Sequence, residues 1–164
     1  MIPEIKDKEL HRIATTTLIY KIDKDGKFVY LITKRALHKK SSPGKWTVPG
    51  GGLTVDDYIN TEPYSDKGMQ WYGALENSMR REIREEVNLE FDKPEFLCDL
   101  TFIRPDGIPV ICFSYFAKYV SGEVKLDEDA TDFAWVNIED AKGYDLIDGI
   151  WDEIKQVEEI LKSR

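Results

Sequence analysis

Only two cysteines and two histidines occur in the 164 residues. Cys98 and Cys112 both sit in apolar, strand-like runs, so they read as buried free thiols, with a disulfide left open but unneeded. His11 and His38 are isolated. Neither has metal-ligand spacing, and both read as surface residues. Positive charge is also short: 23 Lys and Arg stand against 31 Asp and Glu, a net charge of −8. That balance speaks against general binding to a nucleic-acid backbone. No apolar run reaches the roughly 20 residues of a membrane span. The first ten residues lack the apolar core of a signal peptide. A cytoplasmic protein is the default expectation. There are no repeats, low-complexity tracts or linkers, and the length suits one domain with a substantial core.

What is present is a series of short apolar runs separated by turn residues. Residues 12–20 are rich in β-branched side chains and read as a strand. Asp25-Gly26 signals a turn into a second strand over 27–34, closing a hairpin. Residues 37–44 form a polar, basic loop, and Trp46 to Val48 a short strand. Residues 95–104 and 110–120 are strands around the turn Pro105-Asp106-Gly107, with a further short strand at 133–136. Asn137 is placed to cap the turn that follows. Ile147, Ile150, Trp151, Ile154, Val157 and Leu161 recur at helical spacing, so a C-terminal helix should pack on the core. This order fits an α/β fold, a mixed β-sheet sandwiched between helices.

Chemistry concentrates in two segments. Residues 81–89 read Arg-Glu-Ile-Arg-Glu-Glu-Val-Asn-Leu. At about 100° per residue, Glu82, Glu85 and Glu86 fall on one helical face. Carboxylates so spaced repel by about 0.2–0.5 kcal/mol per pair, yet such oxygen clusters suit hard cations such as Mg²⁺. Leu75, Met79, Ile83 and Val87 form an apolar stripe beside them, placing the helix at 74–87 with its acid edge at a rim. Arg81, one turn before Glu85, is placed to orient a carboxylate. Taken alone, the helix equally fits a solvated Glu/Arg surface. The second segment, residues 43–53, runs Pro-Gly-Lys-Trp-Thr-Val-Pro-Gly-Gly-Gly-Leu. Its glycines let backbone approach a ligand closely and leave carbonyls bare for a cation; alone it reads as an ordinary Gly-rich turn.

Together the two segments resemble the Nudix hydrolases (MutT-like). The family signature is Gly, five residues, Glu, seven residues, then Arg-Glu-apolar-x-Glu-Glu-x-Gly-apolar. Arg81-Glu82-Ile83-x-Glu85-Glu86 matches its second half, and Pro49-Gly50-Gly51 resembles its opening, with Gly51 as the first position. The resemblance covers most of the chain, because the flanking strands also fall where the family has them. There are two departures. Asn88 replaces the final Gly at a left-handed helix-end position, where Asn is the usual second choice. Gly51 and Arg81 lie 30 positions apart against 14 in the signature, an insertion of 16, spanning about 57–73. Counting forward from Gly51 gives Asp57 at the box Glu, and counting back from Arg81 gives Gly73. Asp57 is a stand-in for that Glu, with Glu76 as a second.

The resemblance implies a Nudix-type α/β/α sandwich in a single domain over 1–164. It implies a metal-dependent hydrolase cleaving a phosphoanhydride bond in a nucleoside diphosphate linked to another moiety. ADP-ribose-like sugars, other capped diphosphates and nucleoside triphosphates are all open. Acidity does not exclude such a substrate, because Mg²⁺ or Mn²⁺ brings positive charge. Glu82, Glu85 and Glu86, with the Gly50 carbonyl, would hold the metal. Arg81 would fix a glutamate rotamer, and Glu85 or Glu128 would be the base. Family members often carry an Arg near the place of Arg35, facing the substrate; a surface charge is the other reading. The run Asp127-Glu128-Asp129 also fits a solvated turn. Lys39, Lys40 and Lys45 read as a solvated loop face with some pull on a polyphosphate. Tyr58, Tyr64, Trp71 and Tyr72 in the insertion suit three roles: stacking on a base, an apolar seam or an oligomer contact. The insertion's length suggests a lid. Many relatives pair as homodimers. The rival readings are a Nudix-fold nucleotide sensor or scaffold without turnover and, last, an isomerase, for which no suitable Cys and Glu pair is seen.

Overall fold

The computed structural model describes residues 9–65 and 70–164. Its centre is one eight-stranded mixed sheet. Strand β1 (Arg12–Ile22) turns through Asp23–Lys27 into β2 (Phe28–Arg35), pairing antiparallel with Tyr20 opposite Tyr30. The turn closes because the Asp23 carboxylate accepts the N–H groups of Asp25 and Lys27 at 2.9 and 2.8 Å, the usual way an Asp templates a turn. Then come β3 (Trp46–Thr47) and β4 (Gly50–Gly52), a 3-10 turn (Val55–Asp57) and helix α1 (Ala74–Val87). The chain continues through β5 (Glu90–Phe91), β6 (Glu95–Ile103), β7 (Pro109–Ser121), β8 (Ala130–Val136), the short α2 (Ile138–Ala141) and α3 (Ile150–Lys162). The sheet runs β3-β2-β1-β7-β5, with β4 on β1, β6 on β7 and β8 on β2. The β1–β7 pair is parallel, Arg12 opposite Val110 through Tyr20 opposite Lys118.

Alternation along the strands assigns side chains to two layers. On one face Ile19, Leu31 and Ala117 meet Met79, Ile83 and Val87 of α1. On the other, Leu18, Tyr30, Ile32 and Phe116 meet Ile150, Ile154, Val157 and Leu161 of α3. This is the expected α/β/α sandwich. Helix α1 has the bounds that its period predicts. It ends because Asn88 turns left-handed (φ 57°, ψ 39°) while its N–H still bonds the Arg84 carbonyl, so Asn fills the C-terminal position that Gly would otherwise take. The Asn137 side chain accepts from Glu139 and Asp140 N–H at 2.9 Å each, starting α2. Both cysteines are free, Cys112 buried and Cys98 half-buried, and burial pushes the Cys112 thiol up to about 11. Among the described residues no helix is long and apolar enough to cross a membrane.

Three local readings need correction. The Gly50–Gly52 run is not a bare loop but a strand, Thr16 opposite Gly50 and Ala14 opposite Gly52. Its signal was hidden because glycine carries almost no strand propensity. Strand β8 begins at Ala130 rather than 133, and Ala130 lies opposite Arg35. The two-residue β5 was not foreseen.

Candidate active site

Strand β4 lies beneath α1, and its glycines set the spacing. A side chain on Gly51 would fall onto the Glu82 carboxyl group, and one on Gly50 would collide with the Thr15 carbonyl. The bare Gly51 therefore lets a helix carboxylate rest against strand backbone, and the bare Gly50 lets β4 lie close against β1. Glu86 does so directly, its Oε2 accepting the Gly50 N–H at 2.9 Å. The expected role of Gly50 was through its carbonyl; what the structure shows is this N–H bond.

Glu86 is largely enclosed, and burial drives its carboxyl up to about 8, only partly countered by the Gly50 bond. Burial likewise raises the Glu82 carboxyl, against the pull of Arg81. Glu85 is exposed. Arg81 gathers its neighbours: Nη1 donates to Glu82 Oε1 at 2.9 Å and to Glu85 Oε2 at 3.0 Å, and Nη2 to the Gly52 carbonyl at 3.1 Å. The rest of its fork grips Asp57, Nε to Oδ1 at 2.6 Å and Nη2 to Oδ2 at 3.0 Å. The Asp57 side chain is 1% exposed, and Arg81 together with the Thr54 N–H holds its carboxyl down at about 2. The forward count from Gly51 thus finds the residue that reaches Arg81. Glu76 instead pairs with Arg80.

A pocket opens beside Glu86, lined by Arg35, Lys39, Gly50 and Asp129 with Thr33 and Thr47. The Arg35 Nε donates to the Ser41 carbonyl at 2.9 Å. Burial lowers its pKa, and among the described residues no carboxylate forms an ion pair with it. Asp129 receives Lys39 Nζ at 2.5 Å and His38 Nε2 at 3.3 Å. The 127–129 turn is placed by α1 itself, since Lys125 and Asp127 N–H bond the Val87 and Glu86 carbonyls.

Several expected residues sit elsewhere. Glu128 is exposed and outside the pocket lining, whereas its neighbour Asp129 faces in. The reason lies in the backbone bonds of the turn. The Asp129 N–H bonds Asp127 Oδ1 and its carbonyl accepts the Ala36 N–H, so the turn presents alternate side chains. The early start of β8 opposite Arg35 was the missed signal. Trp71 and Tyr72 do not line the pocket either. Trp71 packs on Tyr58 (ring centres 5.3 Å apart) and donates to the Thr61 carbonyl, and Tyr72 packs on Tyr64 at 5.0 Å. These pairs form a seam within the insertion, whose residues 66–69 lie outside the described residues. His38, read as a lone surface residue, joins the Asp129 contact.

Oxygen donors of this kind fit a hard dication, and among the described residues the Glu86 carboxyl has one N–H as its sole hydrogen-bond partner; burial favours its protonated form, and a cation bound there would displace the proton. Yet among the described residues no three acids or other ligating side chains converge into a ready cluster. Arg81 draws Glu82 and Glu85 one way while Gly50 draws Glu86 another.

The sequence matches the NUDIX domain family over residues 11–157. It is 32% identical over 127 residues to a nucleoside triphosphatase NudI of Klebsiella pneumoniae, covering 71% of this chain and 79% of that one. The NudI of an Escherichia coli strain is 31% identical over 135 residues, covering 76% and 83%. Among solved structures, the MutT protein of Methanosarcina mazei superposes with TM-score 0.68 at 21% identity, covering 96% and 99%. The NUDIX domain of Shewanella oneidensis NrtR, complexed with ADP ribose, gives 0.70 at 18%, covering 94% and 90%. With glycine strand, acid-edged helix and sandwich in place, the chain belongs to the Nudix hydrolase superfamily.

Proposed function

We propose that this protein hydrolyses a phosphoanhydride bond in a nucleoside triphosphate or a related nucleoside diphosphate derivative, with Mg²⁺ or Mn²⁺ as cofactor. One observation carries the reading. One pocket is lined by a part-buried acid, Glu86, and a half-buried guanidinium, Arg35, and among the described residues neither forms an ion pair. A metal-chelated polyphosphate complements both at once. The NudI relatives, named as nucleoside triphosphatases, support triphosphates as the first class to test.

In this reading Glu82, Glu85 and Glu86, with the Gly50 carbonyl, hold the metal. Bound there, it would offset phosphate charge and acidify a water. Arg35 pairs a non-bridging phosphate oxygen through its free guanidinium edge. Arg81, itself fixed by Asp57, sets where Glu82 and Glu85 point. Water attacks phosphorus, its proton passes to a carboxylate, and the anhydride P–O bond breaks with its electron pair leaving on the departing phosphate. Glu85, an exposed acid on the same helix, is one candidate for this task, and the 127–129 turn offers the other. A triphosphate would yield monophosphate and pyrophosphate.

A Mg²⁺-dependent phosphate-release screen over a nucleotide panel is the test. Release from at least one nucleotide, lost on chelation and in Glu86→Gln, is the expected result. Nucleotide binding without product would instead identify a sensor, the reading to which the unconverged acids lend some weight.

A further inference from the structure

Four charged side chains line the pocket, and only two of them are paired with each other. Lys39, from the loop after β2, meets Asp129, from the turn before β8, across the space that Arg35 and Glu86 also border. The contact joins two loops rather than two turns of one helix, and both side chains retain solvent access, 27% for Lys39 and 36% for Asp129. Asp129 has a second partner in His38, so it keeps one hydrogen bond if Lys39 leaves. Lysine is a compact charge on a flexible stem and gives up one oxygen for another at little geometric cost.

We propose that the Lys39–Asp129 pair is an exchangeable clasp: an incoming diphosphate group takes Lys39 from Asp129, and the carboxylate remains on His38. Before binding, Asp129 occupies the ammonium that the ligand needs. After exchange, Lys39 and Arg35 grip phosphate from two sides. The clasp rests on the reading of this pocket as a phosphate site, and it adds that Asp129 competes with the ligand for one specific cation. Selectivity follows, because a carboxylate-bearing ligand gains little over the resident carboxylate, whereas a diphosphate brings more charge and more acceptor oxygens.

The measurement is calorimetric titration of inorganic pyrophosphate, with chelator present and no divalent metal, into wild type, Lys39→Met, Asp129→Asn and the double variant. Lys39→Met should bind at least about tenfold more weakly. Asp129→Asn should bind about three- to tenfold more tightly, having lost the competitor. The double variant should gain less over Lys39→Met than Asp129→Asn gains over wild type, since most of the effect of Asp129 passes through Lys39 and only its longer-range pull on Arg35 remains. Tightening of equal size in the Lys39→Met background would mean mere removal of negative charge and would overturn the clasp. Unchanged or weaker binding by Asp129→Asn, or no binding by any of the four proteins, overturns it as well. Lys39→Arg should keep near-wild-type affinity, which separates loss of charge from loss of fold. The hydrolase reading fails on different data, namely a nucleotide panel that yields no product with metal.

Discussion

Glu86 on α1 and Glu158 on α3 are both carboxylates turned toward the sheet, one on each face, and they are compensated in opposite ways. Glu158 accepts the Tyr30 hydroxyl at 2.7 Å on one oxygen and Lys162 Nζ at 2.8 Å on the other. Its charge is matched. Glu86 has one backbone N–H and a pocket. Burying an acid with full partners is what a stable core requires. Leaving one short of partners beside a pocket costs stability and points to a ligand that supplies the remainder. The α3 face is thus a structural layer and the α1 face a working one, although both are built from the same alternating strands.

The sharpest way to break that contrast is Glu86→Gln. Turnover should fall by at least two decades or so, while Glu158→Gln leaves kcat within about twofold; equal losses would erase the distinction. Asp57→Asn comes next. It removes the anchor of Arg81, so kcat should drop about tenfold, with about 2 kcal/mol lost in urea unfolding. The folded carboxyl lies near 2 and the unfolded one near about 3.9. This stabilisation is therefore complete above about pH 4 and disappears as pH falls toward 2. Tyr30→Phe strips one partner from Glu158 and should cost about 1 kcal/mol with activity intact.

A fourth effect concerns pH. Without metal, folded Glu86 keeps its proton up to about 8, and unfolded Glu only to about 4.3. Between those values the folded state binds more protons, so stability declines as pH rises through the window. Thermal unfolding in chelator should show that decline, and Glu86→Gln should flatten it. The smallest effect is at Glu153 of α3, whose carboxyl is raised by burial and whose Oε2 lacks a partner. Glu153→Gln should raise Tm by less than about 3 °C at neutral pH and leave catalysis alone.

Sequence reasoning reached the helix and its acid edge because period, stripe and Asn88 all act locally. It also reached Asp57, the residue that Arg81 grips, by the count forward from Gly51, which stops short of the expected insertion. It missed what pairing across the sheet decides. Nothing local distinguishes Glu128 from Asp129; the choice follows from β8 lying opposite Arg35 and from the Ala36 N–H bonding the Asp129 carbonyl. Likewise the aromatics of the insertion advertise stacking, but only coordinates show Tyr58 on Trp71 and Tyr64 on Tyr72.

The grip of Arg81 on Asp57, reinforced by the Asn77 side chain donating to the Asp57 carbonyl at 3.2 Å, ties the start of the inserted stretch to the helix at its far end. Asp57 is thereby fastened to α1 at the base of that stretch. Closure entropy grows only slowly with loop length, so a change in the length of this stretch should leave Glu82 and Glu86 in their places against the glycine strand.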